Sequence, residues 1–224
     1  MQRITLHEYS RAEHLRYKLV TDNGGAPCVK GKLLSLAICK PRIRKTAQEG
    51  SLIFGFGGRE YNEKLIYIAR VTGKLEGQDY YQRPGYADRP DCIYRVEGRR
   101  AVWKASAIYH SSDEIRKDVG LHFEHAFVLL SDDFRYLGKR GTADYKHKYR
   151  KLGALIKNLS QGHRRFYSSE LRAQLLDLKD EIWAKFPRMK VGTPTDDDRT
   201  GLCNNDSPSA SCSSTRRKIV STAN

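Results

Sequence analysis

Between Tyr17 and Gly58 the chain sets residues suited to a packed core beside residues for which a core has little use. A strand-like run, Tyr17-Lys18-Leu19-Val20-Thr21, leads into Asp22-Asn23-Gly24-Gly25-Ala26-Pro27-Cys28, and then into the apolar run Leu33 to Cys39. After Lys40-Pro41-Arg42-Ile43-Arg44 comes Ser51-Leu52-Ile53-Phe54-Gly55-Phe56-Gly57-Gly58. Glycine serves where φ is positive or where another group approaches the backbone closely. Two glycine doublets, a proline and an Asp-Asn pair between apolar strands therefore predict a binding surface built on a sheet. They do not name a reaction.

The partner class follows from charge. The formal net charge is +15, and it is unevenly spread. Residues 139–190 hold 14 Lys/Arg against 5 Asp/Glu, whereas residues 191–224 hold four of each. A concentrated basic segment fits a polyanion, most often nucleic acid, and the family resemblance described below puts DNA ahead of RNA. The phosphate-contact candidates are Lys139, Arg140, Lys146, Lys148, Arg150 and Lys151, with Arg164 and Arg165 further on. The competing reading is a solvated basic helix face.

Five irregularly spaced cysteines without a C-x-x-C predict reduced thiols in an intracellular compartment, with no zinc knuckle and no redox pair. No apolar run approaches the roughly 20 residues that a membrane helix requires. The N-terminus carries no hydrophobic signal region, so a soluble protein is expected. No phosphate-loop or dinucleotide motif is present, and no motif indicates a cofactor. His122-x-x-His125 lacks a third ligand at a telling spacing, so no metal site is expected. The oligomeric state is left open.

Periodicity predicts an α+β fold: a small, twisted, barrel-like sheet over residues 16–138 with short helices, capped by two amphipathic helices at 144–161 and 168–186. Residues 1–15 form an N-terminal extension, 16–188 a single domain including the helices, and 189–224 a disordered tail poor in apolar residues. Strands are expected at 16–21, 33–39, 51–56, 64–72, 92–96, 101–105 and 124–130. Residues 76–92 form a polar loop long enough to be either functional or disordered.

Within this frame, Asp22, Asn23 and Cys28 are expected as a pocket floor, with Phe54, Phe56 or Tyr81 as a stacking wall for a base. The alternatives are an Asx turn for the first pair and core packing for the aromatics. For catalysis the candidates are Asp22, Cys28, Asp91 and Cys92, with His110, His122 or His125 as the base of a cysteine nucleophile. Three function classes are open: a nucleic-acid-binding module, which the resemblance described next implies recognises or helps process a modified base, an enzyme acting on a base or nucleotide, and a non-catalytic interaction protein. Two titratable groups in contact in one site would favour the enzyme. An aromatic cage without such a pair would favour the recognition module.

The run YKLVTDNGGAPC…LLSLAICKPRIRKTA…GSLIFGFGG resembles the second of the nucleotide modification associated domain families. The likeness continues through Leu65 to Val71, Tyr81, Arg89 to Tyr94 and Asp133 to Gly138, covering about residues 16–160. It implies an association with systems that modify bases in DNA, and no particular activity. The order Pro41–Gln48, Gly50, Leu52–Phe56, Ile66–Val71 also resembles PUA-like domains of the EVE, YTH and ASCH groups, with Arg70 standing where those domains carry an acid. That likeness implies a small β-barrel holding a single base in an aromatic pocket.

Overall fold

The computed structural model describes residues 14–159, 163–165 and 168–196, with residues 163–165 described as backbone only. In chain order its strands and helices are β1 (His14–Leu19), β2 (Cys28–Lys30), β3 (Leu33–Leu36), α1 (Pro41–Thr46), β4 (Leu52–Gly57) and β5 (Leu65–Arg70). Then come β6 (Gly73–Glu76), α2 (Asp79–Gln82), β7 (Tyr94–Glu97), β8 (Arg100–Trp103), α3 (Ile115–Asp118), β9 (Phe127–Ser131) and β10 (Asp133–Tyr136). The chain closes with α4 (Tyr145–Lys148), α5 (Arg150–Lys157), β11 (His163–Arg165) and α6 (Ser169–Lys185).

The fold is α+β. One sheet has the order β10-β5-β4-β1-β11, a second β2-β3-β9-β6, and β7-β8 form a separate hairpin. In the first sheet β1 and β4 run parallel, and its other pairs are antiparallel. Central strand β4 is buried along its whole length, so its two faces serve two cores. Leu52, Phe54 and Phe56 join Tyr145, Leu152, Ile156, Leu175, Leu178 and Ile182 beneath the C-terminal helices. Ile53 turns the other way, to the core shared with β3 and β9 (Leu34, Leu36, Val128, Leu129).

On that second face the glycine of β4 has a steric reason. Gly55 lies in register between Tyr17 of β1 and Tyr67 of β5. A Cβ there would fall 2.2 Å from the Tyr67 ring. The space lets the two tyrosines meet edge to face, with their hydroxyls 2.7 Å apart. The strand glycine serves close side-chain approach rather than a ligand.

Several expectations change. The strands do not close into a barrel, because they divide between separate sheets. The helix expected over 144–161 breaks at Tyr149 (φ −115, ψ 70) into α4 and α5. The second helix starts as expected: Ser168 caps it, its hydroxyl accepting from Leu171 N. The tail predicted from residue 189 is corrected over its first eight residues, Met189 to Asp196. Tyr136 N donates to Met189 O at 2.8 Å, Val191 N to Tyr136 O at 2.8 Å, and Lys139 N to Thr193 O at 2.9 Å. Gly138 (φ +51) makes room for this strap, since a side chain there would strike Thr193 O. The remainder of the predicted tail, and the extension before His14, lie outside the described residues. Among the described residues, no helix is long and apolar enough to cross a membrane.

Candidate active site

The connection from β3 to α1 turns sharply at Cys39 and Lys40, both with left-handed backbone (φ 54 and φ 44). Non-glycine residues adopt this conformation rarely, at a cost of order 1–3 kcal/mol each, and such residues cluster at functional sites. A strand-to-helix turn with a strained nucleophilic residue at its apex is the geometry of the nucleophile elbow. What holds the turn is Arg44, one helical turn on and wholly buried. Its Nε donates to Cys39 O at 2.6 Å, Nη1 to Phe127 O at 2.9 Å, and Nη2 to Asp118 O at 3.0 Å.

Cys39 Sγ lies 3.2 Å from His110 Nε2, and His110 Nδ1 hydrogen-bonds Asp118 Oδ2. His110 is itself left-handed (φ 56). The Tyr94 hydroxyl donates to the same Asp118 oxygen at 2.7 Å, while Arg44 Nη2 stands 3.7 Å from Asp118 Oδ1. Burial alone would lower the His110 pKa. The Asp118 and Cys39 hydrogen bonds and charges outweigh it and lift the value to about 11. Burial would likewise raise Asp118, but His110 and Arg44 hold it below the usual carboxylate range. The raised pKa favours the imidazolium form, in which both ring nitrogens donate, one toward the carboxylate and one toward the sulfur. A cysteine beside an imidazolium, with a carboxylate orienting the ring, is the arrangement that cysteine nucleophiles use.

The sequence-predicted cysteines stand elsewhere. Cys28 belongs to a buried network around Asp91. Ser35 Oγ donates to Asp91 Oδ2 at 2.5 Å, Tyr80 OH to Asp91 Oδ1 at 2.7 Å, and Arg89 Nε lies 3.6 Å from Oδ1. Arg89 Nη2 also donates to Cys28 O at 3.1 Å and Leu33 O at 3.2 Å, which ties the 76–92 loop to the sheet. Burial and the Asp91 charge push the Cys28 thiol up to about 12, and burial raises the Asp91 carboxyl despite Arg89. Burial also raises Cys92, against the pull of Lys104, whose Nζ lies 3.4 Å from its sulfur. Both cysteines are held as thiols. Among the described residues no histidine hydrogen-bonds either of them. His122 Nδ1 meets Arg99 O, 3.2 Å away.

The expected pocket floor separates into parts. Asp22 is buried and accepts from Tyr136 OH (2.7 Å), Thr195 N (3.1 Å) and Thr195 Oγ1 (3.0 Å). Burial raises its pKa against these donors. Asn23 Oδ1 accepts from Gly25 N at 3.1 Å, an Asx turn. Phe54 and Phe56 are fully buried, and Phe56 packs against Tyr145 at 5.1 Å. Tyr81 packs against Tyr80, Tyr94 and Phe123. These rings fill the core, so no open stacking wall forms from them. Beside the docked strap, Tyr61, Asn62, Lys64, Gly138, Lys139 and Thr195 bound a cleft of about 280 Å³.

Part of the basic segment is neutralised internally. Lys146 pairs with Glu63 at 2.7 Å, Lys148 with Glu181, and Lys151 with Glu170 at 2.9 Å. Lys139, Arg140 and Arg150 are exposed. Arg164 and Arg165 pair through their backbone with Arg16 and Leu15.

Sequence reasoning placed His110 among the bases but missed Cys39 and Asp118. The available signal was a cysteine at the junction between an apolar strand and a proline-started helix. Asp118 gave none, being one acid in a polar stretch. Among the described residues no set of three His, Cys, Asp or Glu side chains converges as metal ligands would. No curated protein and no solved structure matches the chain. A family model, that of nucleotide modification associated domain 2, matches residues 11–200 and so takes in both sheets, the C-terminal helices and the whole Cys39–His110–Asp118 array. The chain therefore belongs to the nucleotide modification associated domain 2 family.

Proposed function

We propose that the protein is an enzyme that processes a modified nucleobase or its nucleotide, with Cys39 as nucleophile. The observation that carries this reading is the hydrogen-bonded line Cys39–His110–Asp118, set on a left-handed turn that Arg44 holds in place. In the first step the Cys39 sulfur attacks an electrophilic carbon of the substrate. A C–S bond forms, the bond to the leaving group breaks, and His110 gives that group its proton. Water then attacks the same carbon, His110 takes a proton from the water, and the thiolate leaves. Asp118 keeps Nδ1 protonated, so that Nε2 faces the sulfur throughout. The exposed Lys139, Arg140 and Arg150 supply phosphate contacts when the base is part of DNA.

A purely recognising module is less well supported, because the aromatic residues expected to cage a base are spent on packing. The test is turnover, followed by mass spectrometry, of nucleotides and short duplexes whose bases carry acyl, aminoalkyl or glycosyl substituents. Turnover is expected for one of these classes, abolished by Cys39→Ala and reduced about 10²-fold or more by Asp118→Asn. No turnover of any class, together with equal binding by wild type and Cys39→Ala, would return the protein to the recognition class.

A further inference from the structure

The turn that carries Cys39 also carries a charge with no counterpart. Lys40 is only 5% exposed, yet among the described residues its ammonium makes no hydrogen bond or ion pair. Its one recorded contact is the Tyr17 ring, with Nζ 5.2 Å from the centroid. Two other buried cations of the fold are treated differently. Arg44 reaches three carbonyls and a carboxylate, and Arg89 meets Asp91, Ser35 and backbone oxygens. Lysine is almost never buried unless it is paired. A ring face offers attraction but no acceptor oxygen, so the ammonium keeps its donor capacity for an oxyanion.

The ring it meets does not supply the missing anion, since the Tyr17 hydroxyl bonds Tyr67. Lys40 is thus a fixed cation, one residue from the nucleophile, on a turn whose strained geometry Arg44 maintains.

We infer that Lys40 is the receptor for an anionic oxygen group, a phosphate or carboxylate, of the substrate that Cys39 attacks. This rests on the reading of Cys39 as a nucleophile, and it adds the charge class of the substrate. Binding would bring an oxyanion to the ammonium and set the electrophilic carbon against the sulfur, so Lys40 acts as a positioning residue for the reaction.

Two alkylating reagents of nearly equal size test it on the full-length protein. Iodoacetate is an anion and iodoacetamide is neutral, and each forms a C–S bond with loss of iodide. The labelled cysteine is located by peptide mass spectrometry. At neutral pH we expect Cys39 to react with iodoacetate at least tenfold faster than with iodoacetamide. The preference should vanish in Lys40→Gln and survive in Lys40→Arg. Should Lys40→Gln fail to fold, wild type still answers the question: inorganic phosphate should slow iodoacetate labelling in a saturable way, and sodium chloride at equal ionic strength should not. Rapid labelling by both reagents, with no preference and no phosphate protection, overturns the Lys40 inference alone. Failure of both reagents to label Cys39 faster than Cys28 overturns the nucleophile reading, and the inference with it.

Discussion

Arg44 donates its Nε to the main-chain oxygen of Cys39 at 2.6 Å, and the same guanidinium reaches Asp118 through both its backbone and its carboxylate. One wholly buried side chain therefore fixes both the Cys39 turn and the carboxylate that hydrogen-bonds His110. A lysine could not reproduce this, because it lacks the planar fork that serves several acceptors at once. Removing the guanidinium leaves buried oxygens unpaired and the Asp118 charge under-compensated. Arg44→Met should cost about 3–5 kcal/mol, and Arg44→Lys should recover little of it. Urea unfolding of the two variants checks this.

Stability should fall with rising pH above neutrality. The His110 pKa is about 11 in the folded protein against 6.5 for the free side chain, so the folded state holds the extra proton across that window. The contribution is fully present below pH 6.5 and is lost as pH climbs toward 11. Subtracting the Tm profile of His110→Gln from that of wild type should leave a difference that declines over this range. A flat difference would show that the imidazolium is not held.

His14 titrates with the opposite sign. Its ring is buried, neither nitrogen has a hydrogen-bond partner among the described residues, and burial with Arg172 and Arg70 lowers its pKa to about 4. The unfolded chain binds more protons between pH 4 and 6.5, so acidification through that window should cost up to about 3 kcal/mol. His14→Phe should remove this acid sensitivity without lowering Tm at neutral pH, as measured by thermal melts at pH 4.5 and 7.

The strap after α6 contributes to stability. Truncation after Lys190 removes two donors from the buried Asp22 carboxylate, Thr195 N and Thr195 Oγ1, and the Asp196 partner of Asp22 N. Leaving a buried carboxylate so short of donors costs about 2 kcal/mol or more. The Tm should drop by several degrees, given about 2–4 °C per kcal/mol for a chain of this size. Calorimetry of the truncated chain checks it, and an unchanged Tm would show that the strap adds nothing.

Polyanion binding should depend on the exposed residues of the basic segment. On duplex DNA, Lys139→Gln, Arg140→Gln and Arg150→Gln should each lower the log–log salt slope by about 0.9. Lys146→Gln should act mainly on stability, because its ammonium bridges Glu63 and Asn62. Anisotropy titrations at several salt concentrations, paired with melts, separate the two effects.

The α+β class, most strand positions, the capped helix from Ser169 and the basic excess were legible in the sequence, because each depends on local periodicity, capping or composition. Family membership was legible too, through the run from Tyr17 to Gly58. The site was not. Cys39 and His110 stand 71 residues apart, and Asp118 is one of several acids in a polar stretch. Only the packing of α1 and α3 around the Arg44 guanidinium brings the three together. Tertiary structure also set aside the aromatic wall, since β4 is covered on both faces and Phe54 and Phe56 point under the C-terminal helices. It decided as well which lysines are paired internally: Glu63, Glu181 and Glu170, distant in sequence, neutralise three of them. Local pattern governs which segments become strands and helices. Which titratable groups meet, and in what dielectric, is decided by long-range packing that no local pattern encodes.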